Sequence, residues 1–288
     1  MELNEIKVDT QPSMILPWRE TILMPIGDIQ YGAEGSNIDA LKKYLAWGMA
    51  HDAYFIGMGD YVDVASPSNR ESWKGTKKYD SFKAMVGDAA WEHMEKVSSI
   101  FKGTENRWIG LHHGHHYWEF EEGTTDTILA ERLNAPFLGT CAITQLKFRQ
   151  TSGKQAVTCQ IWSHHGEGSG ATMASPLSKL ERQMGSYPTV DIFLIAHYSR
   201  MLGYTKDSLV PMYGNNPRLL AKPRVLAACG GFMSGYTVGS KQGGRPQGGY
   251  VEQGMMPPTN LGAPIIFMSP VHTAYVDRVK LGIFTGEL

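Results

Sequence analysis

Cysteine is scarce: Cys141, Cys159 and Cys229 are the only three, too few and too scattered for a disulfide framework or a cysteine-based zinc site. A reducing compartment is the expectation. Nothing approaches the roughly 18 consecutive apolar residues of a membrane span, so no membrane partner is expected. Met1 to Pro12, with Glu2, Glu5 and Asp9, lacks the basic-then-apolar order of a secretory signal, and a cytoplasmic location is predicted. Excess charge is missing as well. The formal net charge is −1, which argues against a protein whose main business is coating nucleic acid, although a local basic channel remains compatible with it. The sequence has no Walker loop, no Gly-x-Ser-x-Gly elbow and no dinucleotide fingerprint.

What is abundant is clustered histidine. Seven of the ten histidines fall in three short groups: His112, His113, His115 and His116; His164 and His165; and His197. Single histidines are usually packing or surface groups, but four within five positions are hard to explain that way. Crowded neutral imidazoles are costly to protonate and useful for binding a cation. Two Gly-Asp turns precede them, at Gly27-Asp28 and Gly59-Asp60, each after an apolar run, at 21–26 and 53–58. Either turn alone reads as a simple connection. Together they place carboxylates at strand C-terminal ends, where α/β sheets gather ligand sites.

At 288 residues, 42% hydrophobic and 19% charged, the chain is an ordinary globular one, read here as a single domain over 1–288. Strand-like runs at 21–26, 53–58, 107–111, 142–150, 156–162 and 190–195 alternate with helix-like segments. One helix starts at Ser36-Asn37-Ile38-Asp39 and repeats Leu41, Tyr44, Leu45 and Met49 on one face. A second spans about Ser81 to Phe101 with Phe82, Met85, Ala89 and Met94 inward, and a third contains Leu177 to Met184. Ser66 to Asp80 reads as a loop. This alternation predicts α/β layers. From 201 to 264 the chain is rich in glycine, proline and basic residues and reads as a loop region, either surface connections or a rim facing an anionic substrate. Residues 265–284 read as two further strands.

In order along the chain, Asp28-Ile29-Gln30, Gly59-Asp60-Tyr61-Val62-Asp63, Gly114-His115-His116-Tyr117, His164-His165-Gly166 and Ala196-His197-Tyr198-Ser199 resemble the five motifs of calcineurin-like metallophosphoesterases. The resemblance covers roughly residues 21 to 200. Each motif is weak alone; the ordered set of five is specific.

The resemblance implies a four-layer α/β/β/α sandwich carrying two divalent metals, and hydrolysis of a phosphoester by attack of a metal-bound hydroxide. A phosphodiester, nucleotide or nucleic acid, is favoured over a monoester. By position Asp28 binds the first metal, with Gln30 in place of a family histidine. Asp60 bridges, and His115, His165 and His197 hold the second metal, His115 replacing an asparagine. His116 falls where the family keeps the histidine beside the leaving group, a role suited to a group titrating near neutrality. His165 rather than His164 matches the family's His-Gly pair.

The departures concentrate on one metal. Gln30 and Ser199 both stand where the family has histidines of the first site, which leaves it weak and oxygen-rich, suited to manganese or magnesium. The nitrogen-rich second site suits zinc, iron or manganese, and manganese is the favoured ion overall. The alternative is a metal-binding scaffold of the same fold with impaired catalysis. Arg70 and Arg200 are candidates for bidentate phosphate contact, or else solvated or paired groups. Asp63 either hydrogen-bonds a ligand or caps a helix. Tyr117 and Trp118 either stack on a substrate or pack.

Overall fold

The computed structural model describes residues 13–64, 70, 72, 80–150, 156–168, 170, 172–213, 217–236, 239, 241–242, 245–246, 250–253, 255, 260–272 and 277–288. In chain order the elements are β1 (Ser13–Pro17), β2 (Thr21–Ile26), α1 (Ile38–Ala50), β3 (Tyr54–Gly57), α2 (Asp80–Phe101), β4 (Trp108–His112) and α3 (Thr125–Arg132). They continue as β5 (Phe137–Gly139), β6 (Cys141–Arg149), β7 (Ala156–His164), α4 (Ser175–Ser186), β8 (Ile192–Ile195), β9 (Met201–Met212) and β10 (Arg218–Cys229). Short β11 (Lys241–Gln242), β12 (Arg245–Pro246) and α5 (Tyr250–Gln253) precede β13 (Ile265–Val271) and β14 (Arg278–Phe284).

Two six-stranded sheets result, ordered β1-β6-β7-β8-β10-β9 and β14-β13-β2-β3-β4-β5. The strands β2, β3 and β4 run parallel in the second sheet, and β7 and β8 run parallel in the first. Short strands such as β8, Ile-Phe-Leu-Ile and buried throughout, are apolar at every position because both faces are covered. One apolar cluster joins Leu146, Cys159, Ile161, Leu194 and Ala227 of the first sheet to Leu23, Ile56, Ile109 and Ile266 of the second. On its other face the second sheet packs Met24, Phe55 and Trp108 against Leu41, Tyr44 and Leu45 of α1, Val97 and Phe101 of α2, and Leu129 of α3. The first sheet packs Trp162, Phe193 and Leu226 against Leu180 of α4. Among the described residues no helix is long and apolar enough to cross a membrane.

The local chemistry of α1 matches its sequence signal: the Asn37 side chain accepts from the Ala40 N–H at the N-cap, satisfying one orphan donor of the first turn. Helix α2 departs from expectation on one point. Met85 and Ala89 are exposed, and the buried row is Ala90, Met94, Val97 and Phe101. At about 100° per residue, Met85 and Ala89 stand about 140° and 100° around the helix from Ala90, off the inward face. Most of the 66–80 stretch lies outside the described residues, and Asp80 opens α2 rather than closing a loop.

The 201–264 region is the larger correction. It contains the two longest described strands, β9 and β10, paired antiparallel from Met201↔Cys229 to Met212↔Arg218. Pro211 and Pro223 disguise them, since proline removes a ladder donor and argues against a strand interior. Both are tolerated here. The strand β9 is at the sheet edge, and β8 pairs only with Val225 to Ala228 of β10, so Pro223 meets a neighbour on one side alone. Three elements had no sequence expectation: β1, β5 and α3, the last closed at its start by a Thr124/Thr127 capping box.

Candidate metal centre

Five strands deliver the site, each from its C-terminal end: β2 leads to Asp28, β3 to Asp60, β4 to His115 and His116, β7 to His165 and β8 to His197. The connecting turns are tight. Asp28, Gln30, Asp60, His197 and Ser199 all have positive φ, between 47° and 71°, and make up five of the ten described non-glycine residues in that region. Left-handed backbone is rare for such residues, and clustering of it marks a locally over-determined, functional segment. The turns interlock through Asp28 N–H to Gly59 O (3.0 Å) and Gln30 N–H to Asp60 O (2.9 Å). Gly114 permits the closest approach: a Cβ there would sit 2.1 Å from Asp60 N and 2.3 Å from Asp60 Oδ1.

The turns bring one ligand atom each from Asp60, His115, His165 and His197 within 4.8 Å of one another. Nδ1 of His115 and Nδ1 of His197 are 3.1 Å apart. Nε2 of His165 lies 3.3 Å from Asp60 Oδ2, within ion-pair range but without hydrogen-bond geometry. Backbone carbonyls fix two of the rings. His165 Nδ1 is 2.6 Å from Met58 O and His197 Nε2 is 3.0 Å from Gly168 O. A carbonyl only accepts, so these two nitrogens carry protons; His197 Nδ1 keeps its lone pair, and His165 Nε2 is the atom that must give up a proton for that ring to ligate. Two facing imidazole nitrogens at 3.1 Å approach the edge, roughly 3.3 Å, of a tetrahedron drawn with 2.0–2.1 Å metal–nitrogen bonds. Three nitrogens and one carboxylate oxygen therefore fit a transition-metal ion in donor type and spacing.

The electrostatics agree with a cation at this point. Burial would raise the Asp60 carboxyl, but the charge of His165 beside it, with help from His116, holds it well below the carboxylate range. Burial likewise opposes charge on His165, yet Asp60 and Asp28 push that imidazole up to about 9. His197 is driven down to about 4 by burial and then by His165 and His115. His115 is lowered by burial and by His165.

Asp28 is fully buried but lies outside the four-residue group. Its Oδ2 accepts from the Ser199 N–H at 3.1 Å and the Ser199 hydroxyl at 3.2 Å, while its Oδ1 has no hydrogen-bond partner. Burial pushes this carboxyl up to about 6, with Asp60 adding to the rise and His165 opposing it. Gln30 is partly buried, and its backbone N–H is spent on Asp60 O. Ser199, the departure from the histidine of the family that the sequence resembles, thus acts on Asp28 itself.

His116 is held on both sides. Its N–H donates to Asp60 Oδ1 at 2.9 Å and its Nδ1 lies 2.8 Å from Asp63 Oδ1. Burial lowers the ring, but the Asp63 hydrogen bond and the charges of Asp60 and Asp63 raise it above its ordinary value. Residues 65–69, which follow Asp63 and where it would cap a helix, lie outside the described residues. His164 is turned to the chain, its Nδ1 accepting from Gly166 N–H at 2.7 Å. His112 is buried between Gly139 O and Ser163 Oγ, and His113 packs on Tyr117 and lies 3.1 Å from Asp126. Arg70 covers the Tyr117 ring at 4.0 Å and donates to Tyr117 O. Arg200 is buried and donates to Thr172 O. The Trp118 N–H donates to the Thr125 hydroxyl and its carbonyl accepts from the Thr125 N–H. Asp126, unremarked in the sequence, is buried and accepts from Gly114 N–H at 3.0 Å, which orders the histidine-bearing turn.

No family model matches the chain, and no curated protein does. Among solved structures it is similar to vacuolar protein sorting 29 from Cryptosporidium parvum, at 13% identity and a TM-score of 0.35, over 93% of this chain and 100% of that one. So slight a likeness carries no argument.

Proposed function

We propose that the protein is a metal-dependent phosphoesterase built on a four-layer α/β/β/α metallophosphoesterase-like arrangement, acting on a phosphodiester of the nucleotide or nucleic-acid kind. The observation that carries this reading is the joining of two devices through one carboxylate. Asp60 contributes to the four-atom group, and its Oδ1 accepts from the N–H of His116, whose ring is held by Asp63.

Asp60, His115, His165 and His197 are the residues that would hold a divalent cation, with manganese favoured and zinc or iron chemically compatible. Such a cation supplies neutralisation of phosphoryl oxygens and a lowered pKa for water. The chain's own groups do the rest. His115 and His116 N–H groups occupy Asp60 Oδ1 and leave Oδ2 to face His165. Asp63 keeps the proton on His116 Nδ1, so Nε2 is the atom left to give a proton to a departing oxygen. A diester monoanion suits a site with one complete ligand set, whereas a dianionic monoester is better met by two cations. Asp28 and Gln30 are the residues available to a second, weaker cation. Free Cys141, Cys159 and Cys229 support a reducing, cytoplasmic setting.

The test pairs metal content after purification with turnover of bis-(p-nitrophenyl) phosphate in manganese. Metal at one equivalent or more with manganese-dependent turnover supports the reading; metal without turnover of diesters, monoesters or nucleic acids moves it to the scaffold alternative. The Ser199 hold on Asp28 favours that alternative, because it engages an oxygen that a first metal would use.

A further inference from the structure

We infer that Tyr198 and Lys179 are positioning residues of the metal centre: they clamp the backbone at Glu167 so that Gly168 fixes the His197 imidazole with Nδ1 available for ligation. This deepens the metal-centre reading proposed above and rests on it. The Tyr198 hydroxyl donates to Glu167 O. The Lys179 ammonium donates to the same carbonyl at 2.7 Å and to the Tyr198 oxygen. With its oxygen occupied by an ammonium donor, the hydroxyl must aim its proton at the carbonyl. One residue on, Gly168 O receives His197 Nε2 at 3.0 Å.

Three elements are tied by this clamp: Glu167 follows β7, Lys179 is on α4 and Tyr198 follows β8. The chain at 165–168 runs close against 196–197. Ala196 N–H donates to His165 O at 2.8 Å. Gly166 has φ 116°, and a Cβ on it would sit 2.7 Å from Ala196 O and 2.8 Å from His197 Cβ. The clamp therefore holds Glu167, the residue before Gly168, to α4 and to Tyr198. His197 has one protonated nitrogen as a neutral ring, and the carbonyl decides which. Without the clamp the ring can place its proton on Nδ1 and lose its ligand lone pair. Partners that orient a ligating histidine are worth about 10–100-fold in metal affinity.

The experiment compares the parent with Tyr198→Phe, Lys179→Met and Lys179→Arg. Zinc and manganese affinities are measured by calorimetry, and the His197 tautomer by long-range proton–nitrogen correlation spectra of the metal-free proteins. We expect the parent to show the Nε2–H tautomer. Tyr198→Phe and Lys179→Met should bind zinc about 10-fold or more weakly and show mixed tautomers at an unchanged melting temperature. Lys179→Arg, which keeps a cationic donor, should recover most of the affinity. A parent that binds neither metal sinks the metal-centre reading itself. A parent that binds, with Tyr198→Phe binding equally and showing the same tautomer, overturns the clamp and leaves the metal centre standing. Should Tyr198→Phe fail to fold, the Lys179→Met and Lys179→Arg pair decides by the same two readouts.

Discussion

Nδ1 of His116 and Oδ1 of Asp63 lie 2.8 Å apart, and the N–H of the same histidine donates to Asp60 Oδ1. The candidate proton donor is thus tied twice to the 60–63 turn that carries the candidate metal carboxylate, so a shift in either is felt by the other. The ring is charged more readily than an ordinary imidazole because Asp63 and Asp60 outweigh its burial.

Removal of the ring separates chemistry from metal binding. His116→Ala should keep its metal and its melting temperature while losing about 10²–10⁴-fold in kcat on a diester with a poor leaving group. A nitrophenyl ester, whose leaving group needs little protonation, should lose much less. Asp63→Asn preserves an acceptor for Nδ1 but removes the charge, and should fall between parent and His116→Ala. Loss of metal from His116→Ala would mean that the ring ligates.

His197→Ala tests the four-residue group. A ligand bound at 100 times its Kd stabilises the native state by about 2.7 kcal/mol. Chelation should therefore lower the melting temperature of the parent and leave that of His197→Ala nearly unchanged, with metal content falling in parallel. Equal metal in the two proteins removes His197 from the site.

Much of this site was legible because its side chains come from short apolar runs with abrupt ends. Thr21–Ile26 and Tyr54–Gly57 each run into a Gly-Asp turn, and Ile192–Ile195 runs into Ala196-His197. The four residues brought within 4.8 Å all belong to those turns or to the histidine groups. The partners of these residues were not legible. Met58 O and Gly168 O orient His165 and His197, and a backbone carbonyl has no sequence signature. Ser199 on Asp28 and Asp126 on Gly114 are long-range pairings that only the tertiary fold selects. The β9–β10 pair was hidden by Pro211 and Pro223, whose cost depends on edge position, a property of the sheet and not of the strand.

Restoring two imidazoles tests the placement of the weak site. Gln30 and Ser199 both have φ 47°, a conformation histidine adopts more readily than most residues. Gln30→His with Ser199→His should release Asp28 Oδ2 and tighten a second equivalent of manganese in calorimetry. A double variant that binds no more metal than the parent shows that these positions do not face a second ion.

Gly114→Ala probes the closest contact in the site. The added methyl would press on Asp60 N at 2.1 Å and Oδ1 at 2.3 Å, both in a rigid turn. Overpacking of this kind costs about 1–3 kcal/mol, and Asp60 must move to relieve it. Metal affinity should fall together with stability. A variant as stable as the parent with unaltered metal binding would show that the turns are looser than their hydrogen bonds imply.

His112, a buried ring outside the four-residue metal group, gives a pH dependence of its own. The buried ring lies 2.9 Å from Gly139 O and 2.7 Å from Ser163 Oγ, so the neutral form donates from Nδ1 and accepts the serine proton at Nε2. Burial, with His164 and His165 adding to it against the Gly139 hydrogen bond, pushes the ring down to about 4 from an ordinary 6.5. Above pH 6.5 both folded and unfolded chains keep it neutral, and it adds no slope. Between 6.5 and 4 the unfolded chain takes a proton that the folded one refuses, so stability falls as pH falls; below 4 the slope vanishes again. The parent should lose about 2 kcal/mol between roughly pH 7 and 5 from this group alone. Urea unfolding of the parent and of His112→Gln, both with chelator, measures it. The variant is expected to be less stable at neutral pH but to decline less on acidification; equal declines would assign the acid sensitivity to other groups.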